Sequence, residues 1–328
     1  MNIADMLLQI FVDENAISKE KINANKEAGK TGKEAVFEEI LAYFGILEDD
    51  EESINFAKEY IFENLNKCEA KEYLSNPYAQ LIKPKKIKEK GYELTYLKYA
   101  PYQILPADEI VCTGYPYKEL YRLGYFTKEF NYLALIKNNE IWMSLNPNEI
   151  NTMKPFIEKA NGDVLVLGLG LGYVAFMMSE KENVKKVTIV EKDAEIVEIF
   201  KKNILNSFPN KSKIRIIKDD AFRYLENNNN FNYIFADLWH NPEDGIPMYL
   251  RLDTMAKKYN LNIDYWLDTS LKAMKRRCIL TILEEYFLGF TEKDYMYAKT
   301  RFDQTINNIY KKISRIEIHS MEDLKNLL

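Results

Sequence analysis

Four groups of residues in the second half of the chain have the types and spacing to hold a nucleoside. An apolar run, Val164-Leu-Val-Leu167, breaks into three alternating glycines, Gly168, Gly170 and Gly172. Glycines at that spacing permit a tight turn and close approach of a ligand to the backbone. Glu191 ends a second apolar run, Val187-Thr-Ile-Val190, nineteen residues after Gly172. A carboxylate there can accept hydrogen bonds from both hydroxyls of a ribose, charge-assisted bonds of about 1.5–3 kcal/mol each, without separating a dinucleotide from an adenosyl group. Asp219-Asp220-Ala221 follows a third run: Asp220 can accept from an adenine amino group while Ala221 leaves room for the ring. Either aspartate could instead cap the next helix. Last comes Asp237-Leu-Trp-His240, which places an acid next to one of the chain's two histidines, both groups able to take a proton from a reacting atom.

These groups can act together only if each ends a strand of one parallel sheet, because ligands of open parallel sheets bind beyond the carboxyl ends of the strands where the strand order reverses. The pattern supports this. Strands are predicted at Val164–Leu167, Val184–Val190, Lys213–Ile217 and Tyr233–Ala236, alternating with helices at Tyr173–Ser179, Ala194–Leu205 and Ala221–Glu226, as crossover connections require. Asn241-Pro242 reads as a turn, Ile263–Arg277 as a helix, Cys278–Leu283 as a fifth strand or the continuation of that helix, and Ser314–His319 as a terminal strand. Upstream, helical spacing dominates to about residue 76, followed by the lysine-rich Lys83–Lys90 and then a tyrosine-rich, alternating stretch. Phe130–Ile136 and Ile141–Leu145 flank a hairpin turn, and Asn146-Pro147 opens a helix running to about Ala160. The expected fold is α/β, with a helical segment at 1–90, a β-rich extension at 91–150 and a Rossmann-type, mostly parallel sheet flanked by helices at 151–328.

Together, Val164–Tyr173, Val187–Glu191, Asp219–Phe222 and Phe235–Asp237 resemble the Rossmann-type (class I) S-adenosylmethionine-dependent methyltransferases, nearest to the spermidine-synthase-like group, over about residues 140–245. The resemblance implies S-adenosyl-L-methionine as cofactor. Gly168, Gly170 and Gly172 would pass beside its methionine part, Glu191 would hold the ribose and Asp220-Ala221 would meet the adenine. Asp237 would lie at the reaction centre, receiving the methionine ammonium or a substrate amine or acting as a base; His240 could do the same work, and Tyr173 or Trp239 could wall a flat or cationic substrate. Tyr115, Tyr117, Tyr121 and Tyr125 are candidates for a lid. The sequence departs from the family at two positions. Val166 stands where many methyltransferases carry an acid, a lack shared with the spermidine-synthase-like group, and Leu171 stands where aminopropyltransferases of that group place one. Methyl transfer to an unidentified small acceptor is therefore the first expectation. Aminopropyl transfer from decarboxylated cofactor is the second, and a nucleoside-binding protein without turnover the third.

Composition narrows the partners. A formal charge of -5 and an isoelectric point near 5.5 give no global basic field for nucleic acid. Three widely spaced cysteines, Cys68, Cys112 and Cys278, suit a reducing cytosol and form neither a disulfide framework nor a metal cluster. The opening apolar run is broken by Asp13 and Glu14 and lacks basic flanks, so neither membrane anchoring nor targeting is expected, and oligomeric state is open.

Overall fold

The computed structural model describes residues 3–114, 118–289, 301–316 and 318–327. Twelve strands are described: β1 Leu65–Lys67, β2 Ile87–Glu89, β3 Tyr92–Tyr99, β4 Leu105–Thr113, β5 Lys118–Tyr125, β6 Phe130–Lys137, β7 Glu140–Ser144, β8 Gly162–Leu167, β9 Val184–Glu191, β10 Ile214–Lys218, β11 Tyr233–Ala236 and β12 Ile263–Tyr265. The helices are α1 Ile3–Val12, α2 Lys19–Glu27, α3 Gly32–Tyr43, α4 Glu51–Ala57 with a π turn at Lys58–Phe62, α5 Ala70–Leu74, α6 Pro77–Leu81, α7 Pro147–Lys159, α8 Tyr173–Ser179, α9 Ala194–Asn203, α10 Ala221–Asn227, α11 Pro242–Tyr259, α12 Asp268–Phe287, α13 Arg301–Ile313 and α14 Met321–Leu327.

Five parallel strands in the order β10-β9-β8-β11-β12 form the central sheet. Sequence neighbours β8 and β9 lie together, while β11 pairs on the other side of β8, so the order reverses at the end of β8. The Val164–Leu167 stretch of β8 is wholly buried, as a strand covered on both faces by helices must be. A four-stranded antiparallel sheet, β2-β3-β6-β7, and a three-stranded sheet, β1-β5-β4, complete the strands. In the second of these, β1 comes from the helical N-terminal stretch and runs parallel to β5, with Leu65 opposite Leu123. One apolar core runs from Cys68 to Leu271 through the central and antiparallel sheets; a second joins α1–α3 to Tyr102, Ile104, Leu123 and Tyr125. No helix among the described residues is long and apolar enough to cross a membrane.

The region after residue 240 departs from the sequence-based expectation. Asn241 and Pro242 begin an 18-residue helix: the Asn241 side chain accepts from the N–H groups of Glu243 and Asp244, and Asp244 returns the bond in a capping box. Ile263–Tyr265 is a short edge strand, not the start of a helix. Three residues carry no readable period, and the link to α12 is a left-handed Leu267 at φ 56°. Cys278–Leu283 continues that helix. α13 ends at Ile313 and no strand is described over Ser314–His319, Glu317 lying outside the described residues.

Candidate functional site

Where the order reverses, two chain crossings almost touch. Gly168 receives the chain from β8 at φ 100°, and a Cβ on it would lie 1.9 Å from the carbonyl oxygen of Asp237 at the end of β11. Backbone bonds fix both: Gly168 N–H donates to Val190 O at 2.9 Å and Asp237 N–H to Leu167 O at 2.8 Å. The glycine is thus a steric requirement of the crevice. Gly170 lies against Met143 of β7, whose Cε would be 2.5 Å from a Cβ there.

A cavity of about 230 Å³ opens at these strand ends. Of the residues expected from sequence, Gly168, Gly170, Glu191, Asp220, Ala221, Asp237 and His240 all line it. Gly172 and Tyr173 are placed behind the turn instead. A Cβ on Gly172 would meet Phe200, and the buried Tyr173 hydroxyl accepts from Asn76 Nδ2 at 2.8 Å. Both line a void of about 20 Å³ between the turn, Met143 and Glu149. Tyr121 and Tyr125 belong to the second core, away from the cavity, and Tyr115 and Tyr117 lie outside the described residues.

Glu191 is 9% exposed and its carboxylate is preset by backbone: Oε2 accepts from Leu169 N–H in the glycine turn at 3.1 Å and Oε1 from Asp193 N–H at 2.7 Å. Burial pushes its carboxyl above the usual range, and those two bonds oppose the rise. Each oxygen keeps a further lone pair toward the cavity. Asp220 does cap a helix, accepting from Phe222 and Arg223 N–H, but both bonds use Oδ1. Its Oδ2 stays available beside Ala221, while Asp219 pairs with Arg223.

Asp237 is half-buried, and no donor among the described residues reaches its carboxylate. Burial pushes it well above the ordinary range; Glu149 and Glu191 add to the rise and His240 opposes it. His240 is oriented from its other side, with Nδ1 2.7 Å from Asp244 Oδ2. Burial alone would raise Asp244, but bonds from the His240 ring and from the N–H groups of Asn241 and His240 hold it below its usual range. With Nδ1 committed, Nε2 is the ring nitrogen left to take a proton. Trp142 meets the imidazole edge-on, centroids 4.2 Å apart, and carries the Lys137 ammonium at 4.1 Å from its own ring. Lys137 also pairs with Asp193 at 3.1 Å, which ties the β6–β7 hairpin to the start of α9.

Past Asp237 and His240 lies a second cavity of about 310 Å³, lined by all three tryptophans of the chain, Trp142, Trp239 and Trp266, together with Ser144 and Glu149. Glu149 sits in the first turn of α7 and among the described residues accepts only from Ser144, at 3.3 Å to its N–H and 3.4 Å to its Oγ. Burial pushes its carboxyl up to about 7, against those weak bonds. Trp142, Glu149, Asp244 and Trp266 were not singled out from sequence. Asp244 and Glu149 share one local signal, an acid three residues after a helix-capping Asn.

Residues 148–251 match the spermine/spermidine synthase domain model. That segment carries α7, the glycine turn, all four strand-end groups and the His240–Asp244 pair. Among solved structures, a spermidine synthase from Thermotoga maritima aligns at 15% identity over 33% of this chain and 43% of its own, with a TM-score of 0.28. A candidate O-methyltransferase from Klebsiella pneumoniae aligns at 14% identity over 47% of this chain and 61% of its own, with a TM-score of 0.25. The aligned part thus spans less than half of the spermidine synthase. A search of curated proteins finds no match to this chain.

Proposed function

We propose that this chain transfers a methyl group from S-adenosyl-L-methionine to a small acceptor. The supporting observation is that one cavity is lined at once by Gly168 packed on Asp237, by Glu191 with lone pairs free for a ribose, and by Asp220 beside Ala221. Those residues fit an adenosyl group: a Cβ at 168 would close the crevice, and Oδ2 of Asp220 has no other partner among the described residues. When bound, the cofactor supplies a methyl carbon on a cationic sulfur, and as the acceptor's lone pair forms the new bond the carbon–sulfur pair returns to sulfur as a neutral thioether. The protein's own part is alignment, on the order of 7–11 kcal/mol where geometry is well held, and proton removal. Nε2 of His240 receives the acceptor's proton, and Asp244 holds the ring and stabilises the imidazolium. The three tryptophans exclude water from the acceptor side.

Aminopropyl transfer from decarboxylated cofactor is the second reading, favoured by the domain match and by two carboxylates, Glu149 and Asp237, beside the glycine turn. Leu171, buried in that turn, opposes it. Calorimetric titration with S-adenosylmethionine, its decarboxylated form, S-adenosylhomocysteine and NAD separates the readings. Tightest binding of the first and third supports methyl transfer, preference for the decarboxylated form replaces it with the second reading, and binding of NAD alone removes both.

A further inference from the structure

Two carboxylates, Glu149 and Asp237, line the same spaces at the junction of the cavities. Asp237 lines the 230 Å³ cavity, the 310 Å³ cavity and the small void; Glu149 lines the latter two. No lysine or arginine lines either of those two spaces among the described residues. Glu149 comes from α7 and Asp237 from the end of β11, so chain neighbourhood does not explain their proximity. The other titratable groups around the pair are Tyr99 and Tyr132 of the antiparallel sheet, Tyr173 of α8, Glu191 of β9 and His240 of the following loop, and Lys192, Asp220 and Asp244 line the 230 Å³ cavity with Asp237. Lys192 carries a permanent positive charge but lines neither space that Glu149 and Asp237 share. A poorly hydrogen-bonded carboxylate pair in such a place costs folding free energy unless a cation arrives with the ligand.

We propose that Glu149, with Asp237, is the counter-charge for the sulfonium of the donor, so that the site holds the cationic donor in preference to the neutral thioether product. This rests on the adenosyl reading of the cavity and holds for either transfer reaction, since both start from a sulfonium and end at a thioether. Losing the positive charge at sulfur leaves the two carboxylates unbalanced, and the product is expelled by the same groups that drew in the donor. One of the pair carries a proton in the empty site. Donor binding releases it, and product binding does not. Donor affinity should therefore rise with pH while thioether affinity stays level.

The test is calorimetric titration of the full chain with S-adenosylmethionine, S-adenosylhomocysteine and adenosine at pH 6 and pH 8, for the wild type and Glu149→Gln. The expected wild-type result is a donor-to-thioether affinity ratio several-fold larger at pH 8 than at pH 6, about tenfold at most for one proton lost near pH 7, with proton release detected in buffers of different ionisation enthalpy. In E149Q the ratio at pH 8 should fall at least tenfold while adenosine affinity holds within about twofold. The wild-type pH series needs no variant to fold, and E149Q leaves His240 in place, so a histidine contribution would survive in the variant. An unchanged ratio across pH in the wild type, or between wild type and E149Q, overturns the counter-charge role while leaving the adenosyl site standing. Failure of adenosine, donor and thioether alike to bind removes the adenosyl site and this role with it.

Discussion

The Asp237 carbonyl oxygen occupies the space in which a Cβ on Gly168 would lie, 1.9 Å away. Neither partner can yield, because each is backbone at the end of a central strand held by its own ladder bonds. Gly168→Ala should combine left-handed strain with overpacking, roughly 1–3 kcal/mol from each. A fall in melting temperature of several degrees and loss of adenosine binding are expected; a variant that melts and binds like the wild type would show that the crevice is not built as described.

Glu191→Gln keeps one acceptor oxygen for the Leu169 and Asp193 N–H groups, turns an amide donor toward the other, and loses the charge that would strengthen bonds to ribose hydroxyls. The expected loss is at least tenfold in adenosine affinity, the equivalent of about 1.4 kcal/mol. Deoxyadenosine titrated against both proteins checks the assignment: the variant should discriminate less between the two nucleosides.

Glu149 also makes stability depend on pH. Its carboxyl is raised in the folded state to about 7 from an ordinary 4.5, so between those values the native protein binds more protons than the unfolded chain. Stability therefore falls as pH rises from about 4.5 through 7. E149Q should melt above the wild type at pH 8 and level with it near pH 4, read by thermal unfolding across the series. A variant less stable at both ends would mean the carboxylate is satisfied in a way the structure does not contain.

For the base, His240→Asn and Asp244→Asn should lower turnover without loss of donor affinity. Positioned proton transfer is worth about 10²–10⁴-fold, so H240N should lose at least a hundredfold and D244N at least tenfold. Transfer of labelled methyl from the cofactor into acceptors of a cell extract gives the rate, and calorimetry gives the affinity. Equal losses in both quantities would assign the pair to binding.

What was legible in the sequence was much of the lining of the 230 Å³ cavity. Gly168, Glu191, Asp220 and Asp237 each follow a short apolar run, so a local pattern marks a strand end and the parallel fold does the rest. The tryptophan-lined cavity was not legible, because Trp142, Glu149 and Trp266 belong to an edge strand, a helix start and the loop after β12. They meet only through tertiary packing. Glu149 resembles any acid favoured in the first turn of a helix, and nothing local indicates that Ser144 is its donor. β12 was misread for a related reason: three residues are too few for a period, and their strand character comes from pairing with β11.

The glycine turn is also braced from far upstream. The Tyr78 hydroxyl, on a wholly buried side chain of α6, donates to Leu171 O at 2.6 Å, and Asn76 reaches Tyr173. Grafting residues 148–251 onto another scaffold would therefore leave the most sterically demanding loop of the site without its prop. The N-terminal stretch cannot be exchanged as a cassette, because ninety residues before the glycine turn it already contains part of that turn's shape.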